Sequence, residues 1–189
     1  MEKKLYVIHG WSCSPQEPML AWIISEAKKI GFEVVAPIMP HPDEPTIGDW
    51  VNNLNVIVTN PDQNTYFVGH SVGCQTVLRY LEKQDNVQVG GVILIAPWLI
   101  LSNLETEEEK VIGKPWIETP IDFNKVKQAA RSFTAIFSDD DPVVPFEKNK
   151  ELFSKYLNPQ VIVEHDKGHF TEGDGVQSLQ SVIDTLNRF

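Results

Sequence analysis

The stretch TYFVGHSVGCQTVLRYL, residues 65–81, decides how the rest of the chain is read. Its first four residues have the composition of a strand, and Cys74, Val77, Leu78 and Leu81 fall on one face of a helix. Between them lies Gly69-His70-Ser71-Val72-Gly73, a Gly-x-Ser-x-Gly sequence at a strand-to-helix junction. A serine in such a turn has a strained backbone, and the two glycines remove Cβ atoms that would collide across it. The turn pushes one hydroxyl out at the top of a sheet, against a helix N-terminus that favours negative charge. The sequence therefore implies nucleophilic serine chemistry, with Ser71 as the candidate nucleophile.

Working outward, short β-rich runs alternate with helical periodicity along the whole chain. Residues 5–8 read as a strand. Ser14-Pro15-Gln16-Glu17 reads as a capping box with proline at the first helical position. Leu20, Ile23, Ile24 and Ala27 continue that helix, and Gly31 ends it. Residues 33–36 form the next strand. Trp50, Leu54, Ile57 and Val58 mark a second helix, closed by Asn60-Pro61. Residues 91–96 (GVILIA) are continuously apolar, as in a strand buried on both faces of a parallel sheet. Residues 133–137 and 161–164 are further strands. Leu152, Phe153, Tyr156 and Leu157 fall on a helix ended by Asn158-Pro159, and Leu179, Val182, Ile183 and Leu186 form the last helical stripe.

This alternation predicts a single α/β domain over residues 1–189, a mostly parallel sheet of about six strands with helices on both faces. Residues 97–120 break the rhythm. They hold Trp98, Leu99, Ile100, Leu101, an acidic stretch at 105–109, and Trp116. They read as a short lid-like insertion over the carboxyl ends of the strands, where ligands bind in open α/β sheets.

A chain of 189 residues has room for one sizeable core. Its formal net charge of -10 argues against nucleic acid or an anionic membrane as a partner, since both select basic surfaces. The apolar run at residues 5–8 is shorter than a secretory or membrane segment, and Cys13 and Cys74 form no disulfide framework. The expectation is a cytoplasmic protein acting on a small-molecule acyl substrate, with any protein partner left open.

A serine hydroxyl needs a positioned base. Of five histidines, His169 stands in the loop after the last strand, which gives the order serine, acid, histidine. His9, His41, His70 and His165 are the competitors. His165 and His169 are four apart, but the intervening stretch reads as strand and loop, and no HExxH or cysteine cluster adds ligands. Neither metal nor cofactor is expected. The acid lies in Ser138-Asp139-Asp140-Asp141-Pro142, after a strand. Asp141, stiffened by the following proline, leads; Asp139 and Asp140 remain alternatives, and two of the three aspartates are expected to be merely solvated. An oxyanion hole needs two backbone N–H groups. Val72, after the nucleophile, and Trp11, after Gly10, are the candidates. Trp11, Met39, Trp98, Trp116, Phe146 and Phe170 flank strand-end loops and are candidate lining for a substrate pocket.

VIHG near the N-terminus, MPHP after the second strand, GHSVG, SDDDPVVPF and KGHF together resemble a small subgroup of α/β-hydrolases over nearly the whole chain. This is the YdeN-like bacterial group, similar to the animal retinoblastoma-binding serine hydrolase. The resemblance implies a compact α/β-hydrolase fold with a short lid and a triad of Ser71, Asp141 and His169, favouring the aspartate before proline. No Leu-x-Cys-x-Glu motif is present, so a retinoblastoma partner is not implied. The leading expectation is a metal-independent serine hydrolase of the carboxylesterase kind, cleaving an ester or related acyl compound through an acyl-enzyme. A non-catalytic binding scaffold, an amidase or aminopeptidase, and a thioesterase are the competing expectations.

Overall fold

A computed structural model describes residues 3–104 and 106–189. Its strands are β1 (Lys3–Ile8), β2 (Phe32–Val35), β3 (Thr65–His70), β4 (Gly91–Ile95), β5 (Phe133–Ser138) and β6 (Gln160–Glu164). They form one six-stranded sheet in the order β2-β1-β3-β4-β5-β6. Every neighbouring pair is parallel. Residues of β3, β4 and β5 are buried throughout, which accounts for their unbroken apolar character. The described helices are α1 (Pro18–Lys29), α2 (Ile47–Ile57), α3 (Val72–Leu81), α4 (Glu107–Glu118), α5 (Phe123–Ala129), α6 (Phe146–Tyr156) and α7 (Gln180–Leu186). Helix α1 packs against α7, and α2 and α5 pack against α3. All ten residues of α3 are buried, so the helix behind Ser71 is part of the core rather than half-solvated.

The chain runs from β1 outward to β2 and then crosses back to β3, so strand order reverses between β1 and β3. Such a switch point opens a crevice at the carboxyl ends of the strands. The loops after β1 and β3, carrying Gly10-Trp11 and Ser71, meet there. Register places Ile8 beside Gly69, which brings the two loops level.

Two local readings change. Helix α1 begins at Pro18, with Glu17 at its N-cap position and no side-chain cap. The Glu17 carboxylate does not close a box with Ser14; it accepts a 2.6 Å bond from the Glu172 N–H. A tertiary contact has overridden the local motif. The stretch 97–120 contains α4, capped by Thr106: its hydroxyl accepts from the Glu109 N–H at 3.1 Å, and the Glu109 carboxylate accepts from the Thr106 N–H at 2.8 Å. Glu105, at the start of the acidic stretch, lies outside the described residues.

The stretch is pinned to the core at both ends. The Asn149 side chain accepts from the Leu99 and Ile100 N–H groups at 2.8 and 3.0 Å and donates to the Ile100 carbonyl at 2.9 Å. At the other end, Arg79 reaches out of α3 and donates to the Trp116 and Thr119 carbonyls at 2.9 and 2.7 Å. A guanidinium on the last carbonyls of α4 satisfies orphan acceptors and complements the helix dipole.

Candidate active site

Ser71 sits between β3 and α3 with φ 53° and ψ -119°, a region non-glycine residues rarely occupy. The flanking glycines show why the turn closes. A Cβ on Gly69 would stand 2.8 Å from the Gly73 carbonyl group, and one on Gly73 would stand 2.4 Å from the Ile8 oxygen. Backbone fills the space in both cases. Val72 is the first residue of α3, so its N–H has no acceptor within the helix.

His169 lies in the loop after β6. Its Nε2 is 2.9 Å from Ser71 Oγ, and its Nδ1 is 2.8 Å from Asp141 Oδ2. The other Asp141 oxygen accepts from the Val143 and Val144 N–H groups at 2.8 and 2.9 Å. One carboxylate oxygen is thus held by the loop that follows it, and the other faces the imidazole. The Asp141 side chain is only 2% exposed, and that of His169 17%.

The other aspartates are not idle. Asp140 Oδ1 accepts from the Ser138 hydroxyl at 2.6 Å and from the Lys167 and Gly168 N–H groups at 3.1 and 2.8 Å. Asp139 pairs with the His165 ring at 2.5 Å. Asp139 and Asp140 are exposed, as expected of two of the three, yet all three side chains hold successive parts of the loop leading to His169. Hydrogen bonds from Ser138 and Gly168 hold the Asp140 carboxyl below its usual range, and the bond to His165 does the same for Asp139 while raising the His165 ring.

The remaining histidines have other partners. His41 is exposed. His9 is fully buried; its Nε2 accepts from the Met39 N–H at 2.9 Å, so the proton is on Nδ1, 2.7 Å from the Gly10 carbonyl. Burial lowers its pKa. His70 is also buried, with Nε2 2.9 Å from the His169 carbonyl. Burial first, and then the charge of His169, lower its pKa to about 3.

A cavity of about 390 Å³ opens over Ser71. Trp11, Trp98, Leu101, Leu104 and Val143 share its wall with Ser71, Val72 and His169. Of the six residues expected to line a pocket, Trp11 and Trp98 do so. The other four serve the core. Met39 is buried beside His9. Trp116 donates to the Pro45 carbonyl at 2.9 Å and meets Trp50 edge-on. Phe146 packs against Phe137, and Phe170 is 0% exposed. Among the described residues no group of three or more His, Cys, Asp or Glu side chains is placed to hold a metal ion. Nor is any described helix long and apolar enough to cross a membrane.

Sequence reasoning passed over Asp174, the loop-holding role of Asp140 and the partner role of His70. The Asp174 carboxylate accepts from the His169 N–H at 3.0 Å and from the Thr171 hydroxyl at 2.7 Å. The local signal was Thr171 three residues before Asp174, a turn pattern.

Comparison with known proteins gives a consistent setting. A family model described as serine hydrolase matches residues 5–188. YdeN of Bacillus subtilis (strain 168) is 32% identical over 191 residues, spanning 100% of this chain and 97% of that protein. Serine hydrolase RBBP9 of Rattus norvegicus is 27% identical over 163 residues, 86% of this chain and 78% of that one. The crystal structure of the B. subtilis ydeN gene product has a TM-score of 0.88 at 30% identity, covering 98% of this chain and 97% of that chain. Est1E from Butyrivibrio proteoclasticus, solved with ferulic acid bound, has a TM-score of 0.75 at 15% identity, covering 99% and 87%, a likeness of fold.

Proposed function

The chain belongs to the serine hydrolase family, and on that premise we propose that it cleaves a carboxylic ester or related small acyl compound with Ser71, His169 and Asp141 as its triad. One observation carries the reading. An unbroken hydrogen-bonded chain runs from Asp141 Oδ2 through His169 to Ser71 Oγ, at 2.8 and 2.9 Å. It ends on a hydroxyl presented by a strained turn at the mouth of a cavity.

Ser71 Oγ attacks the substrate carbonyl carbon while His169 Nε2 takes its proton. Asp141 holds Nδ1 protonated and stabilises the imidazolium. The backbone N–H groups of Val72 and Trp11 receive the oxyanion. His9 supports that loop: its Nδ1–H on the Gly10 carbonyl fixes the peptide plane whose other edge is the Trp11 N–H. Collapse breaks the bond to the leaving group, which departs with the proton from His169. A water then repeats the sequence on the acyl-enzyme, releasing the acid and restoring Ser71. Residues 97–120 act as a short lid, with Leu101, Leu104 and Trp98 facing the acyl group. A cavity of about 390 Å³ suits short or medium acyl chains.

The test is labelling by a fluorophosphonate probe with mass mapping, on wild type, Ser71→Ala and His169→Ala. The expected adduct is on Ser71 and needs His169. A folded wild type that takes no label overturns the reading. Matched ester, thioester and anilide substrates of increasing chain length then rank the leaving groups, with esters and short chains expected to lead.

A further inference from the structure

We propose that His70 is a positioning residue that locks the turn bearing Ser71 to the loop bearing His169; the proposal rests on the triad reading above. The residue before the nucleophile makes no contact that the chemistry requires. Its ring instead spans the gap between the two halves of the site.

The loop it reaches is under strain. His169 stands between Gly168 at φ 50° and Phe170 at φ 61°. Left-handed backbone at a phenylalanine is costly and persists only where the surroundings over-determine it. Here they do. Phe170 is anchored in the core, and every polar group of His169 has a partner. Its N–H donates to Asp174 at 3.0 Å and its carbonyl accepts from His70 Nε2 at 2.9 Å. The ring nitrogens meet Asp141 and Ser71. Of these bonds, the one from His70 ties the loop's backbone to the residue adjacent to Ser71. It therefore sets the distance across which the proton moves.

The other side of the ring is also spoken for. A Cβ added at Gly10 would lie 3.1 Å from His70 Nδ1 and 3.4 Å from Ser71 Cβ. The ring is therefore seated between Gly10 and His169, and it bonds to the latter. Because a carbonyl only accepts, Nε2 carries the proton and Nδ1 is bare. Among the described residues Nδ1 has no hydrogen-bond partner, and it faces the open side of Gly10, where a side chain would sit. Burial keeps the ring neutral, so the donor bond survives when His169 becomes an imidazolium.

The experiment compares wild type with His70→Phe, which fills the ring's space without a donor, and His70→Gln, which returns an N–H at similar reach. The readouts are melting temperature, kcat and KM on an ester, and the rate of fluorophosphonate labelling. His70→Phe is expected to keep KM and lose about 10–100-fold in kcat and labelling rate, the scale set by a misplacement of about 1 Å. His70→Gln is expected to recover most of that loss. Unchanged kcat and labelling in a folded His70→Phe overturns the proposal, as does equal loss in both variants. An unreactive wild type overturns the triad reading instead, and this one with it. Should His70→Phe fail to fold, a long-range proton–nitrogen spectrum of wild type decides. It is expected to show His70 protonated on Nε2 and unchanged from neutral pH to pH about 5; the opposite tautomer, or titration in that range, overturns the proposal.

Discussion

Asp140 Oδ1 accepts a 2.8 Å hydrogen bond from the backbone N–H of Gly168, the residue before His169. The carboxylate beside the proposed catalytic acid thus holds the peptide beside the proposed catalytic base. Side chain and backbone reach across from the same two loops, and they share one geometry.

Removing that clamp separates position from chemistry. Asp140→Ala leaves the Ser138 hydroxyl and the Gly168 N–H without their acceptor, while the Lys167 N–H keeps the Ser138 oxygen at 3.0 Å. The expected cost is about 1–2 kcal/mol, because the site is open to water and the groups are partly re-solvated. Steady-state kinetics should show kcat falling by about tenfold or more with KM little changed. Equal kcat would mean that the loop's other bonds, to His70, Asp139, Asp141 and Asp174, hold His169 without Asp140.

Gly73→Ala should be far more damaging than its single methyl suggests. The added Cβ meets the Ile8 oxygen at 2.4 Å and the His9 oxygen at 2.6 Å, and β1 cannot yield without breaking the sheet. A loss of about 3 kcal/mol or more is expected, measured by urea unfolding. Gly48→Ala, where nothing lies within 4 Å, is the matched control and should be neutral or slightly stabilising.

Acid should unfold the protein through its buried histidines. His9 and His70 are neutral inside, with folded pKa values below the usual 6.5. Their contribution is intact above about pH 6.5 and is lost as pH falls, continuing towards about 3 for His70. For His70 the slope of unfolding free energy should approach about 1.4 kcal/mol per pH unit, with His9 adding in the same direction. His70→Gln should flatten this limb, a change readable from urea midpoints between pH 7 and 5.

Arg79→Met tests the fastening of α4. The variant keeps most of the apolar stem but leaves the Trp116 and Thr119 carbonyls without a charged donor. About 2 kcal/mol of stability should go. Proteolysis of the folded variant should cut first between residues 97 and 121, while fluorophosphonate labelling of Ser71 persists.

The turn around Ser71 was legible because its causes are local. Two glycines, a strand before and a helix after are all visible within seventeen residues. The sheet was legible because buried parallel strands are apolar end to end. What escaped depends on contacts across the fold. Ser14-Pro15-Gln16-Glu17 has the form of a cap, yet Glu17 is drawn to Glu172, distant in sequence. Helix α5 buries only Val126 and Ala129, too little to print a period. Helix α4 did carry its sign, Thr106 three residues before Glu109, inside an acidic run that masks it. Trp116, Phe146 and Phe170 looked like pocket lining because aromatics at strand ends can face either way. Only packing shows that these three face the core.

The loops after β1, β3, β5 and β6 carry Trp11, Ser71, Asp141 and His169, while the loop after β4 carries none of them. That fifth loop holds residues 97–120, fastened by Asn149 at one end and Arg79 at the other. The strip after β4 supplies Trp98, Leu101 and Leu104 to the cavity wall, whereas the proposed triad lies on other loops. The strip after β4 works as an exchangeable cartridge with two mounting points. Swapping or lengthening it is expected to change what the cavity admits, while Ser71, Asp141 and His169 stay where they are.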